Sequence, residues 1–430
     1  MSGVEKRIWS DGSSGRSRRD RQPCWYEIYL PDQLVQRAFS LDGGVAADVV
    51  EAEAAVARFN AEASSLVSTE ALARILLRAE SVASSRIEGL RIGARRILRA
   101  EVEKDVVGSR PDLTANEVLA NIQAMDYGIQ QIQLGKPITL QLILETHRQL
   151  LAGTDLSAAG GKLREEQNWI GGSDYHPCTA DFVPPKWELV EQLMEDLVTF
   201  CNDDALPAIA QAAIAHAQFE TIHPFVDGNG RTGRVLIQLI LRRRGLASRV
   251  VPPVSLILAT WAQDYVEGLA ATRYLGDSNS QDAHDGMNLW IGRFAAACSR
   301  SVKDAMEFEI RASSIEKNWR TALGRVRRSS SIDLLLQKLV GMPVLTVTTA
   351  MTLTNTSYKQ TNEAIATLME AGILHRISAS SRNRTFEAPE IISAFADLER
   401  QLASPDGDTR VSNPARNVPP RRQENSSSKH

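Results

Sequence analysis

The stretch His223-Pro224-Phe225-Val226-Asp227-Gly228-Asn229-Gly230-Arg231-Thr232-Gly233-Arg234 separates two long apolar helical runs, 206–222 before it and 231–244 after it. Few purely structural needs call for such a loop. Gly228, Asn229 and Gly230 tolerate positive φ angles and can leave backbone N–H groups pointing outward. Those groups merge with the unsatisfied amides at the start of the next helix, a ready site for phosphate. Arg231 and Arg234 add forked donors that match phosphate oxygens. Asp227 is the loop's one carboxylate, and Mg²⁺ is usually held by one or two carboxylates together with substrate phosphates. His223 is the group that can exchange a proton near pH 7. A plain turn, with the His-Pro pair acting as a helix stop, accounts for any one of these residues but poorly for all of them together.

The string resembles the signature of the Fic family (Fic/Doc superfamily), His-Pro-Phe-x-Asp-Gly-Asn-Gly-Arg-x-x-Arg, at every specified position. The resemblance implies a protein adenylyltransferase that moves AMP from ATP to a Ser, Thr or Tyr hydroxyl of a target protein, with ATP and Mg²⁺ as cofactors. It implies His223 as the catalytic base and Asp227 as the metal ligand. Phe225, Gly228, Asn229, Gly230, Arg231 and Arg234 become the nucleotide-binding set. The implied fold is mainly α: a Fic-type helical bundle with a β-hairpin flap, followed by a C-terminal winged helix-turn-helix.

A second informative stretch is Ser84-Ser85-Arg86-Ile87-Glu88-Gly89, the end of a helix predicted over 68–88. A glutamate in a last helical turn opposes the macrodipole, at a cost of a few tenths of a kcal/mol. Gly89 reads as the C-terminal stop. Read alone, Glu88 is an exposed residue. The stretch also resembles the Fic inhibitory motif Ser/Thr-x-x-x-Glu-Gly/Asn, which implies that Ser84 and Glu88 belong to an inhibitory helix and that Glu88 pairs with Arg234, where the γ-phosphate of ATP needs room. The same site read in reverse would remove AMP, with Glu88 positioning a hydrolytic water.

Elsewhere the chain reads as helices around this centre. In the stretch 140–151, Leu140, Ile143, Leu144, His147, Leu150 and Leu151 share one stripe, which makes His147 a satisfied core or edge histidine. From Arg164 to Pro185, a Gly171-Gly172 pair, a polar tip with Tyr175 and His176, and two prolines point to a hairpin or extended loop. The family resemblance makes it a flap near 168–183 on which a target segment docks by strand addition. From 331 onward, helix, turn, helix and two short strands around Arg382 and Arg384 resemble a winged helix. Lys359, Gln360 and Asn362 would then face a partner, either DNA or protein. A regulator of the winged-helix, DNA-binding kind, its Fic core acting as a nucleotide sensor, is the alternative from another class. The intact His223 speaks against it. The expected units are 1–22, 23–135, 136–325, 330–400 and 403–430, the first and last read as disordered tails.

Composition narrows the classes. The 430 residues are 43% hydrophobic with a formal net charge of −3. That supports a sizeable core and argues against a wholly nucleic-acid-binding protein. Cys24, Cys178, Cys201 and Cys298 show no Cys-x-x-Cys spacing and are expected as free thiols of a cytoplasmic protein rather than a disulfide framework. No apolar run is long enough for a membrane span. Self-modification is a further expectation, since the chain carries its own hydroxyls.

Overall fold

The computed structural model describes residues 1–10, 22–62, 69–103, 112–377 and 384–400. Its centre is the antiparallel pair α7 (Ala208–Ile222) and α8 (Asn229–Arg243), the two runs that flank the signature. Every residue of α7 is buried, and α8 is buried at every position but Arg242. A helix apolar on all sides belongs in the middle of a bundle. Its neighbours are α1 (Gly43–Glu62), α2 (Thr69–Ile87), α4 (Leu113–Gln131), α5 (Leu140–Leu151) and α6 (Val190–Cys201). Beyond α8 come α9 (Val254–Thr260), α10 (Ala262–Ala271) and the 43-residue α11 (Gln281–Leu323), which packs along α1, α7, α9 and α10. Asp112, Thr139 and Ser280 cap α4, α5 and α11 through side-chain acceptors, as such residues do at helix N-termini.

The end of α2 explains how Glu88 is presented. Gly89 takes φ +85, its N–H donates to the Arg86 carbonyl, and the Leu90 N–H donates to the Ser85 carbonyl. This is a Schellman stop. It leaves Glu88 on the first non-helical step, facing the α7–α8 loop.

Two expectations are corrected. The first ten residues are not a tail. Gly3–Trp9 forms β1, paired antiparallel with β2 (Cys24–Leu30) from Gly3↔Leu30 to Trp9↔Cys24. The basic stretch 15–21 lies outside the described residues. The cysteines are not all free thiols either: Cys24 and Cys178 form a disulfide with Cα atoms 6.0 Å apart, and Cys201 and Cys298 are the buried free thiols. The pair joins β2 to the tip of the 164–185 segment, a proximity set by folding and not by local spacing.

The C-terminal unit runs α12 (Ser331–Leu339), β3 (Val344–Thr346), α13 (Val347–Thr354), α14 (Tyr358–Glu370), β4 (His375–Arg376), β5 (Thr385–Glu387) and α15 (Pro389–Arg400). Its strand order is β3-β5-β4, one strand more than expected. Arg382 and the stretch 403–430 lie outside the described residues. This unit sits directly on α2. Arg78, 2% exposed, donates to the Gly341 carbonyl at 3.1 Å and pairs with Glu101 at 2.5 Å on α3 (Ala94–Glu103). Lys338 reaches Glu70 at 2.6 Å, and Arg99 reaches Glu387 at 2.9 Å. A Cβ on Gly341 would stand 2.6 Å from the Ala71 Cα. Gly341→Ala is therefore expected to lower stability by about 1–3 kcal/mol through overpacking, read as a drop in the urea unfolding midpoint at unchanged slope.

Candidate active site

His223 closes α7 in a left-handed conformation, φ 50 and ψ 60, with its N–H on the Phe219 carbonyl at 2.9 Å. A non-glycine residue is strained there. The carbonyl of the strained residue is held by two neighbours: Arg164 Nε donates to it at 2.9 Å and Asn168 Nδ2 at 3.3 Å. The same buried guanidinium also donates to the carbonyls of Ile222, Glu166 and Pro185, so it ties both ends of the 166–185 segment to the loop. Burial pushes the His223 imidazole down to about 4, Glu88 opposing and the charges of Arg164 and Arg273 adding to the fall. That keeps the imidazole neutral at pH 7.

The loop is braced from below. The Asn229 side chain accepts from the Phe225 N–H and donates to the Phe225 carbonyl, both at 2.8 Å. Asn229 thus shapes the loop with its side chain and offers only its backbone to a ligand. Phe225 corrects a further expectation. It is fully buried and its ring stacks on His147 at 3.7 Å, so it anchors the loop from the core side and does not line the cleft. His147 is the satisfied core histidine expected. Its Nδ1 accepts from the Gly161 N–H at 3.0 Å, which makes Nε2 the donor to the Asp227 carbonyl at 2.9 Å. Burial lowers its pKa to about 4.

Above the loop stand the charged groups. Arg231 is 4% exposed, bonds Asp227 at 3.0 Å through Nη2, and leaves Nε and Nη1 buried with no hydrogen-bond partner among the described residues. Buried donors without acceptors are rare and call for a ligand or water. The Asp227 carboxylate is half-exposed to the cleft. Arg234 is 1% exposed and fully engaged. Its Nε donates to Ser84 Oγ at 2.8 Å, and its Nη2 to the Ser84 carbonyl at 2.9 Å and to Glu88 Oε1 at 2.6 Å. Burial alone would raise the Glu88 carboxyl, but the Arg234 charge and hydrogen bond outweigh it and hold the carboxyl below its usual range. Gly230 makes room for this: a Cβ there would stand 2.8 Å from the Glu88 carboxyl carbon. Ser84, Glu88, Gly230, Arg231 and Arg234 thus converge, with His223 at the loop's other end.

Several contributors were not legible as site residues. In the sequence Arg164 and Asn168 mark only the start of the hairpin. Tyr265, whose hydroxyl lies 2.9 Å from His216 and 3.4 Å from Arg234, carried no signal. Glu220, one turn before His223, is buried with one carboxylate oxygen unpartnered among the described residues. The 164–185 segment is a narrow hairpin: Ile170 bridges Phe182, and a 3₁₀ turn Pro177–Thr179 forms its tip.

Burial raises the Glu220 carboxyl to about 7, against the pull of Arg234. The folded state then keeps a proton that the unfolded chain releases near 4.5, so the stability this group lends is full below pH 4.5 and is lost as pH rises through 7. Glu220→Gln is expected to match the wild type at pH 4 and to exceed it at pH 8 by about 1–3 kcal/mol. Urea midpoints at the two pH values read this.

Comparison with known proteins agrees with the geometry. Residues 137–241 match the Fic/DOC family model and residues 46–130 the Fic/DOC family N-terminal model. The protein adenylyltransferase fic-1 of Caenorhabditis briggsae is 39% identical over 131 residues, 30% of this chain and 23% of that protein. The protein adenylyltransferase Fic of Nematostella vectensis is 34% identical over 212 residues, 48% of this chain and 43% of that protein. The chain thus spans less than half the length of these curated relatives. Among solved structures, a Fic family protein from Desulfovibrio desulfuricans G20 shares the fold with a TM-score of 0.51 at 20% identity, over 82% of this chain and 98% of that one. The mainly helical bundle built on α7 and α8 is a Fic-type fold, and the region from 46 to 241 is similar in sequence to the Fic/DOC family.

Proposed function

We propose that the chain is a protein adenylyltransferase, moving AMP from ATP to a Ser, Thr or Tyr hydroxyl of a protein, and that Glu88 holds it back by occupying Arg234. The observation that carries this reading is the Arg231–Arg234 side of the loop. One arginine there is buried with two unpartnered nitrogens, and the other is bound by an internal carboxylate. Both are donors suited to a polyphosphate.

The donor set also suits Mg²⁺, with Asp227 as the one protein carboxylate, half-exposed beside the free amides of the α8 N-terminus. The ion would supply charge neutralisation on the phosphates. The chain's own residues supply the rest. The α8 N-terminus, with Arg231, orients the phosphates. His223, held neutral by its surroundings, takes the proton of the target hydroxyl. The hydroxyl oxygen then attacks the α-phosphorus, and the bond to pyrophosphate breaks. Arg164 holds the His223 carbonyl and both ends of the hairpin, so base and docking edge keep one geometry. A target strand added at the Ile170–Phe182 hairpin would bring its hydroxyl over His223.

Glu88 competes with the nucleotide because its carboxyl lies over Gly230 and on Arg234. It is 35% exposed, so its pairing is worth less than a fully buried ion pair, on the order of 1–2 kcal/mol. The C-terminal unit is best read as a protein-docking winged helix. Its Arg384 donates to Asn362 at 2.5 Å and to Tyr358 at 3.4 Å, so the wing arginine turns to its own helix α14. No helix of the described residues is long and apolar enough to cross a membrane.

Transfer from α-labelled ATP tests the reading. Glu88→Gly is expected to label itself or lysate proteins at least roughly tenfold more than wild type. Adding His223→Ala should remove about 10²–10⁴ of that rate. Equal labelling by Glu88→Gly and wild type would remove the inhibitory role, and no labelling by either would remove the transferase. In the Glu88→Gly protein the acid limb of the rate should lie below pH 6.5. The base form is present above the depressed pKa of His223 and is lost as pH falls through it. Asp227→Ala should raise the Mg²⁺ concentration needed for half-maximal labelling.

A further inference from the structure

We propose that Cys24, His176 and Cys178 form a three-donor site for a zinc-type divalent cation, available when the disulfide between the two cysteines is reduced. The ligand atoms of the three side chains all lie within 4.8 Å of one another. Two thiolates and an imidazole are the donors that a borderline-soft tetrahedral cation prefers, and a three-residue set leaves a fourth position for water. His176 is 8% exposed while the two cysteines are half-buried, so the group sits at the surface with one side open. The site lies at the tip of the hairpin proposed as the docking edge and shares no residue with the loop of His223.

The donors do not owe their closeness to the disulfide alone. Cys24 is placed by the β1–β2 ladder, where it pairs with Trp9. Trp9 packs edge-on against Trp169 at 5.6 Å, and the Tyr29 N–H donates to the Val183 carbonyl at 3.0 Å, so the β1–β2 ladder is joined to both arms of the hairpin. His176 and Cys178 flank buried Pro177 on one 3₁₀ turn. The tip is tight: Gly171 and Gly172 take φ of +72 and +74, and a Cβ on Gly172 would meet the Thr179 backbone. The Ser173 N–H donates to Thr179 Oγ1 at 3.1 Å, and Trp169 Nε1 to the Ser173 carbonyl at 2.7 Å. A scaffold fixed on both sides keeps the donors in place once the covalent bond is gone, as a ligand set requires.

The two states exclude each other. A small-molecule dithiol cleaves the S–S bond with two electrons, yields two thiols and is itself oxidised to a disulfide. The cation then binds as the two thiols release their protons. In either state β2 stays fastened to the hairpin tip.

The test uses the full chain, reduced with a dithiol, freed of the reductant under anaerobic conditions, and titrated with Zn²⁺ and in parallel with Co²⁺. The expected result is one equivalent of Zn²⁺ per chain and a thiolate-to-cobalt charge-transfer band. Cys24→Ser or Cys178→Ser should abolish the band and weaken Zn²⁺ binding by about 100-fold, and His176→Ala by about tenfold. No cobalt–thiolate band in the reduced wild-type chain would overturn the proposal, whatever the variants do. A band that survives Cys24→Ser would overturn it as well.

Discussion

A guanidinium with 1% exposure is costly in a protein interior unless hydrogen bonds and a counter-charge meet it. Arg234 is that group, and much of the molecule is arranged to satisfy it. Ser84 offers a hydroxyl and a carbonyl, Tyr265 a hydroxyl, and Glu88 the charge. Three of these acceptors come from α2 and its end, so α2 must lie alongside α8. That placement in turn requires the Schellman stop at Gly89 and the small residue at Gly230. Burial works against the charge of Arg234, yet its pKa rises because Glu88 and the neighbouring acids outweigh burial. A polyphosphate could take over from Glu88 without leaving the cation bare. The arginine thus favours an anion beside it, and in this structure Glu88 is that anion.

The bracing of the loop follows a second logic. A strained histidine at a helix end persists only where its surroundings over-determine it. Here the Asn229 side chain closes the loop on itself, His147 holds the Asp227 carbonyl from beneath, and Arg164 holds the His223 carbonyl from the side. Each brace is a buried polar group with its hydrogen bonds made, so the loop is positioned by directional contacts rather than by packing alone.

The parts legible in the sequence were those with local signatures. The fully apolar run of α7, the turn chemistry of the loop and the glycine after Glu88 leave their mark within a few residues of one another. Most helices of the bundle and of the C-terminal unit showed through apolar periodicity and breakers. What escaped was set by distant contacts. In β1 the apolar Val4 and Ile8 face solvent while the charged Glu5 and Arg7 are half-buried, so the alternation carries no sign of a buried face. β3 is three residues long and exists only because β5 lies beside it. Cys24 and Cys178 are 154 residues apart. Phe225 and Asn229 sit inside the motif, yet only the fold shows that their side chains turn to the core. Arg164 bonds four carbonyls, none of which is visible as a residue type.

α11 has a consequence of another kind. At 1.5 Å per residue its 43 residues extend about 64 Å, longer than a typical small domain is wide. One end lies against α1 and α7 of the helical bundle and the other against α15 of the C-terminal unit. A single helix without an interruption runs between the two units. Under the proposed reading it would act as a ruler: the helix would set the distance at which a molecule held by the C-terminal unit reaches the cleft.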